Sequence, residues 1–224
     1  MTQKNQDSQT GPADGDIREE LVSIVRELFE ARVITSTGGN ASVRRPNAEG
    51  EIWITPSRLF KGDLGPDVLV RCDLEGHSLD AGARPPSSEC GMHCSVLAAK
   101  PEAAAVIHAH APSATILANT GLPFLSISAE AAFFGDIPRV PFSMPGTPEL
   151  ASAVGEAIGD GWAVLLVNHG LVVAARSLRR AADMVELIER TSELILGCYA
   201  VGKEPSTLPA ELVTSLRKLG DLLA

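Results

Sequence analysis

Three short runs in this 224-residue chain carry residue types that do chemistry: Ser87-Ser88-Glu89, His108-Ala109-His110 and Asn168-His169-Gly170. Side chains alternate along a strand with period two, so two histidines one residue apart share a face. The preceding Ala-Ala-Ala-Val-Ile at 103–107 reads as a buried strand, and both imidazoles emerge together where it ends. His169 closes a second apolar run, Ala-Val-Leu-Leu-Val at 163–167, and a glycine follows it. Three converging imidazoles make a metal site. Zinc takes nitrogen ligands and, in catalytic sites, keeps a position open beside three protein ligands. Neutral imidazoles leave the ion's charge uncompensated, which favours polarising a carbonyl and stabilising an enediolate. Glu89, in the first turn of a helix, is favoured as a carboxylate by the helix dipole and is the candidate general acid/base.

The elements that must position these residues are legible from periodicity. Asp16 caps a helix to about Arg32, with Ile17, Leu21, Ile24, Val25, Leu28 and Phe29 on its apolar face. A small-residue loop at 35–40 leads into Ala-Ser-Val-Arg, and a turn at 46–50 joins this to a strand at 51–55 as a hairpin. A strand is expected at 67–72, a helix over 88–99 capped by Ser87 or Ser88, and a strand at 103–110. Helices start near Pro112 and Thr147-Pro148. Strands at 163–168 and 171–175 precede helices at 178–201 and 208–223. Hairpins mixed with strand–helix alternation predict an α/β fold, an αβα sandwich with a central mixed, largely antiparallel sheet.

The anion-binding potential lies in loops. Ser87 and Ser88 offer hydroxyls and amides at a positive helix end, and the 37–40 loop and Thr55-Pro56-Ser57-Arg58 add donors. His93 shares a helix face with Glu89; packing at the helix–sheet interface is its expected role, with orienting Glu89 the alternative. Cys90, His93 and Cys94 read as packing residues rather than a metal cluster, and His77 as solvated.

Residues 1–15 read as a disordered leader before a single domain at 16–224. Hydrophobic residues make up 45% and aromatics 4%, so aliphatic side chains must fill the core. A net charge of −9 with no basic block argues against a nucleic-acid partner. No apolar run approaches the length of a membrane span. Four cysteines without a CxxC are expected to be free thiols in the cytoplasm.

Taken in order, Gly-Gly-Asn-Ala-Ser at 38–42, Ile-Thr-Pro-Ser at 54–57, Pro-Ser-Ser-Glu at 86–89, His-Ala-His and Asn-His-Gly resemble the class II aldolase/adducin family over about residues 17–200. The double serine before the glutamate is most similar to the branch that cleaves fuculose 1-phosphate. The resemblance implies a homotetramer with sites near subunit interfaces and zinc held by His108, His110 and His169, with cobalt or manganese as alternatives. It also implies that Glu89 moves the proton and approaches the metal when substrate is absent. Phosphate contacts are implied at Gly39, Asn40, Ser57, Arg58, Ser87 and Ser88. The implied activity is cleavage of a ketose 1-phosphate resembling fuculose, deoxyribulose or methylthioribulose 1-phosphate to dihydroxyacetone phosphate and an aldehyde. Decarboxylation of an aromatic or sugar acid, dehydration of methylthioribulose 1-phosphate, and a non-catalytic adducin-like role are the alternatives.

Two departures stand out. Arg58 occupies a position that is glycine in the branch, where its side chain either adds a bidentate phosphate contact, worth about 1.5–3 kcal/mol, or blocks the pocket. The branch also uses a tyrosine in the region matching 125–130, where this chain reads Leu-Ser-Ile-Ser-Ala-Glu, and its only tyrosine is Tyr199. Ser128, Glu130 or water are therefore candidates for the proton exchange at the aldehyde oxygen, and Phe133 and Phe134 for an apolar wall near the sugar tail.

Overall fold

The computed structural model describes residues 14–223, with side chains described to residue 219; most of the expected leader lies outside them. Helix α1 (Asp14–Glu30) already includes the two residues before the expected cap. Asp14 is held there by Arg45 and by the Trp53 indole N–H at 3.2 Å. The apolar stripe Ile17, Leu21, Val22, Ile24, Val25 and Leu28 is buried, as a helical period requires.

Strands β1 (Asn40–Arg44), β2 (Glu51–Ile54), β3 (Val70–Asp73), β4 (Ala105–Ala109), β5 (Arg139–Val140), β6 (Ala163–Leu166) and β7 (Gly170–Ala175) form one sheet. Its order is β3-β2-β1-β4-β7-β6-β5. Every neighbouring pair is antiparallel except β5 and β6, so the sheet is mixed and largely antiparallel as expected. All residues of β4, β6 and β7 are buried, which needs cover on both faces. Helices α3 (Pro112–Thr120) and α6 (Leu178–Ala200) pack with α1 against β1, β4 and β7. Helices α2 (Cys90–Ala99) and α5 (Pro148–Ile158) form a second pair against β4, β5 and β6. Helix α4 (Ala129–Phe134) packs on α7 (Ala210–Leu223).

Several boundaries differ from the sequence reading. The strand expected at 67–72 begins only at Val70, because Pro66 starts a 3-10 turn over Pro66–Val68. The run 163–168 stops as a strand at Leu166, and residues 167–169 make the turn into β7. Helix α2 begins at Cys90, with Glu89 at the capping position. Neither β5 nor α4 was anticipated, each being too short to show a period. Among the described residues, no helix is long and apolar enough to cross a membrane.

Candidate active site

The sheet brings the chemistry to one end. Asn40, at the start of β1, pairs with His108 near the end of β4, and His108 in turn sits opposite Val172 of β7. His110 follows β4 directly, and His169 lies in the β6–β7 hairpin turn rather than at a strand end. That turn needs Gly170: a Cβ there would collide with the Ala109 carbonyl. Gly38 has a similar reason, since its Cβ would come within 2.6 Å of His110 Nδ1. The two glycines let backbone approach the imidazoles from both sides.

Candidate ligand atoms of His108, His110 and His169 all lie within 4.8 Å of one another. His108 Nδ1 faces the Leu171 carbonyl at 3.1 Å. A carbonyl only accepts, so Nδ1 carries the proton and Nε2 keeps its lone pair. That lone pair points at His110 Nε2, 3.0 Å away. Burial pushes the His108 imidazole down to about 3, and burial followed by the His169 charge lowers His110. Both rings are thus held neutral, the form that ligates metal. His169 Nδ1 is buried without a hydrogen-bond partner. Three imidazole nitrogens packed this closely, two of the rings held neutral, fit a divalent ion with nitrogen preference.

Glu89 sits over this cluster, its carboxylate oxygens 3.2 Å from His169 Nε2 and 3.4 Å from His108 Nε2. It is 6% exposed. Burial favours its neutral form, but the facing His169 and His108 imidazoles and the Asn40 amide outweigh this and hold the carboxyl well below the usual carboxylate range. Its side chain makes no capping bond to α2, so helix capping does not account for it.

The carboxylate also fixes a buried chain of hydrogen bonds. Asn40 Nδ2 donates to Glu89 at 3.0 Å, which turns Asn40 Oδ1 toward His93 Nε2. His93 must then donate from Nε2 and accept at Nδ1 from the Ser42 hydroxyl, 2.7 Å away. The sequence reading favoured packing for His93 over orienting Glu89; it does both, fully buried and holding the Glu89 carboxylate in place through Asn40. The signal was present, because Asn40 and Ser42 share a strand face and Glu89 and His93 share a helix face.

We expect His93→Leu to retain metal, to lower kcat more than KM, and to cost about 1–3 kcal/mol of stability, because Asn40 and Ser42 lose a buried partner. Burial also holds the His93 pKa at about 4 against 6.5 for a free imidazole. The unfolded chain therefore takes up a proton that the folded chain refuses, and stability falls as pH drops through this window. The contribution is about 2 kcal/mol between pH 7 and 5, and His93→Gln should remove it. Urea unfolding of wild type and variant at both pH values measures the difference.

Gly39, Asn40, Ser57, Arg58, Ser87 and Ser88 all line one cavity of about 270 Å³ that also contains Glu89, His110 and His169. The loops are pinned together by Ser57 N–H to the Pro85 carbonyl and Ser87 N–H to the Thr55 carbonyl, both 3.1 Å. The helix-end amides are less available than the sequence suggests. Glu89 N–H donates to Ser87 Oγ and Cys90 N–H to the Ser87 carbonyl, which leaves the exposed Ser88 as the freer of the two serines.

Arg58 is exposed and has a left-handed backbone, φ 60°. That conformation favours glycine and costs a non-glycine residue about 1 kcal/mol or more. Exposure limits a charge contact there to about 1 kcal/mol, below the sequence-based figure. Arg58→Gly should therefore raise KM for a phosphorylated substrate by no more than about fivefold without lowering the melting temperature. Steady-state kinetics and a thermal melt check both.

The candidates near residues 125–134 are not brought to this cavity. Ser128 caps α4 by accepting from Ala131 N–H at 3.1 Å, and Glu130 is exposed. Phe133 and Phe134 line a different cleft with Trp162 and Arg217, and Phe134 packs edge to face on Phe124. Cys90 and Cys94 are buried and all four cysteines are free. His77 is mostly exposed, beside Asp73.

The description "Class II Aldolase and Adducin N-terminal domain" matches residues 19–196. The chain is 33% identical over 202 residues to a 5-deoxy-D-ribulose 1-phosphate aldolase of Bacillus thuringiensis serovar kurstaki, covering 90% of this chain and 93% of that one. It is 31% identical over 197 residues to a 3-oxo-tetronate 4-phosphate decarboxylase of Escherichia coli strain K12, covering 84% and 89%. Its fold superposes on a solved L-fuculose 1-phosphate aldolase with a TM-score of 0.85 at 31% identity, covering 92% and 97%. With the match spanning most of its length and the sheet, histidines and glutamate arranged as described, this chain belongs to the class II aldolase and adducin family.

Proposed function

We propose that the protein is a metal-dependent aldolase that cleaves a ketose 1-phosphate with a 5-deoxy or 5-methylthio tail to dihydroxyacetone phosphate and an aldehyde. The observation that carries this reading is the Glu89 carboxylate held within 3.4 Å of two of three convergent imidazoles, beside a cavity rich in hydroxyls and cations.

His108, His110 and His169 would hold the ion, which supplies Lewis-acid polarisation of the substrate's carbonyl and hydroxyl oxygens when bound. We assign zinc, as the nitrogen-seeking ion with an open position in three-ligand sites; cobalt and manganese are the alternatives that imidazole also accepts. Breaking the C3–C4 bond releases the aldehyde and leaves the C1–C3 fragment as an enediolate. Glu89 delivers to its C3 carbon the proton that the C4 hydroxyl gives up by way of water, and in the synthetic direction removes that proton from dihydroxyacetone phosphate. The carboxylate form held at rest is the form that accepts. Asn40 and His93 keep its oxygens aimed at the cavity. Gly39, Ser57, Arg58, Ser87 and Ser88 bind the phosphate. With Ser128 and Glu130 away from the cavity, water exchanges the proton at the aldehyde oxygen.

We further propose a homotetramer with the site near a subunit interface. Phe142 and Met144 are 53% and 64% exposed, and Pro145, next in sequence, lines the cavity. Four free cysteines are in keeping with a cytoplasmic location.

The decarboxylase relative favours a second reading, loss of CO₂ from a phosphorylated 3-oxo sugar acid at the same site. Metal-loaded protein incubated with 5-deoxyribulose, 5-methylthioribulose and fuculose 1-phosphates and with 3-oxo-tetronate 4-phosphate separates the two. Dihydroxyacetone phosphate identified by mass spectrometry supports the aldolase. CO₂ release with no cleavage of any ketose 1-phosphate replaces it with the decarboxylase.

A further inference from the structure

Lys61 is the residue of the cavity that sequence motifs do not mark. It is 2% exposed, among the largest fully buried side chains of the chain, and it lines the cavity that holds Ser57, Arg58, Ser87 and Ser88. Among the described residues no carboxylate lies within ion-pairing distance of it. Its Nζ donates to the Pro56 carbonyl at 3.2 Å, while an ammonium has three N–H donors. The other buried lysine, Lys100, has what Lys61 lacks: Glu102 at 3.4 Å, the Gly159 carbonyl at 3.3 Å and the Trp162 ring at 4.4 Å.

A buried cation without a counter-charge is costly, and burial alone pushes the Lys61 pKa down to about 8. The position is nonetheless held firmly. Lys61 N–H donates to the Ser36 carbonyl at 2.9 Å. Phe29 and Phe60 pack edge to face, ring centroids 5.2 Å apart, against the next residue, Gly62. The backbone of the turn is thus fixed with the lysine side chain buried and its ammonium on the Pro56 carbonyl. What completes it is an anion entering the cavity.

We propose that Lys61 binds the substrate's phosphate, donating its unused N–H groups to phosphate oxygens and making this buried ammonium, rather than the exposed Arg58, the main source of selectivity for phosphorylated substrates. The inference rests on the aldolase reading for the identity of the ester, and on the cavity itself for the anion. A lysine that only braced the loops would contribute equally to phosphorylated and unphosphorylated ligands.

Titration calorimetry of the full-length, metal-loaded protein with inorganic phosphate and with dihydroxyacetone phosphate tests this. Lys61→Met should weaken both by roughly ten- to a hundredfold, as expected for loss of a charge-assisted hydrogen bond. Lys61→Arg should recover part of the loss. In turnover the effect should fall on KM, with kcat nearly unchanged and no change in affinity for unphosphorylated dihydroxyacetone. A folded Lys61→Met that binds phosphate like wild type overturns the assignment, and leaves the aldolase reading intact if it still cleaves a ketose 1-phosphate. Wild-type protein that binds phosphate but cleaves no ketose 1-phosphate overturns the aldolase reading while a weakened Lys61→Met still supports this one. Should Lys61→Met fail to fold, the wild-type ammonium resonance that is missing from Lys61→Arg serves instead. Its shift on adding phosphate supports the proposal, and an unmoved signal overturns it.

Discussion

Glu89→Gln is expected to purify with the metal content of wild type and to have lost about 10²–10⁴-fold of its turnover, the usual contribution of a positioned acid/base. The amide is nearly the same size, so the buried chain through Asn40 keeps its geometry and the imidazoles stay in place. What changes is proton affinity. The wild-type carboxyl is held ionised because the facing His169 and His108 imidazoles and the Asn40 amide together outweigh its burial. An amide can neither accept a carbon-bound proton nor return one. Metal analysis and steady-state kinetics on the same preparation separate the two effects. A variant that lost metal along with activity would mean that Glu89 also holds the ion, so that its activity loss alone would not assign it the acid/base role.

Replacing any of His108, His110 or His169 by alanine should remove metal and activity together. Disturbing an outer-shell partner typically costs 10–100-fold in metal affinity, and losing one of three ligands should cost more. His108→Ala should be the most severe. Its ring is fully buried, its Nδ1–H is committed to the Leu171 carbonyl, and its loss leaves a void at the end of β4. His110 is only partly buried, so His110→Ala should show metal loss with the least change in melting temperature. Elemental analysis of the three variants and the triple variant reads this directly. Stoichiometric metal in the triple alanine variant would place the ion elsewhere.

Much of this arrangement was legible in the sequence because it follows from local periodicity. His108 and His110 needed only the alternation of a strand, and α1, α5 and α6 needed only an apolar stripe. The Glu89–His93 pair showed as a helix-face spacing, but its meaning depended on Asn40 and Ser42 arriving on the neighbouring strand, some fifty positions away in sequence. Lys61 gave no signal at all. Nothing in Leu-Phe-Lys-Gly-Asp distinguishes a buried lysine from a solvated one, because its burial is decided by Phe29 and by the loop at Ser36. Arg58 misled in the opposite direction: its charge was plain, while its exposure and left-handed backbone were not. Phe133 and Phe134 were near the expected tail region in sequence only, since α4 turns them toward Trp162 and Arg217. Where residues act through neighbours close in the chain the sequence sufficed, and where long-range packing decides exposure it did not.

The central claim is that Glu89, above a three-histidine metal site, exchanges a proton with the C3 carbon of dihydroxyacetone phosphate. Proton NMR of dihydroxyacetone phosphate in heavy water, with the metal-loaded protein and no aldehyde present, tests it most directly. One of the two C3 hydrogens is expected to be replaced by deuterium, and the exchange to vanish on chelation and in Glu89→Gln. Undiminished exchange in Glu89→Gln, or none with a wild-type protein that still cleaves a ketose 1-phosphate, would contradict it.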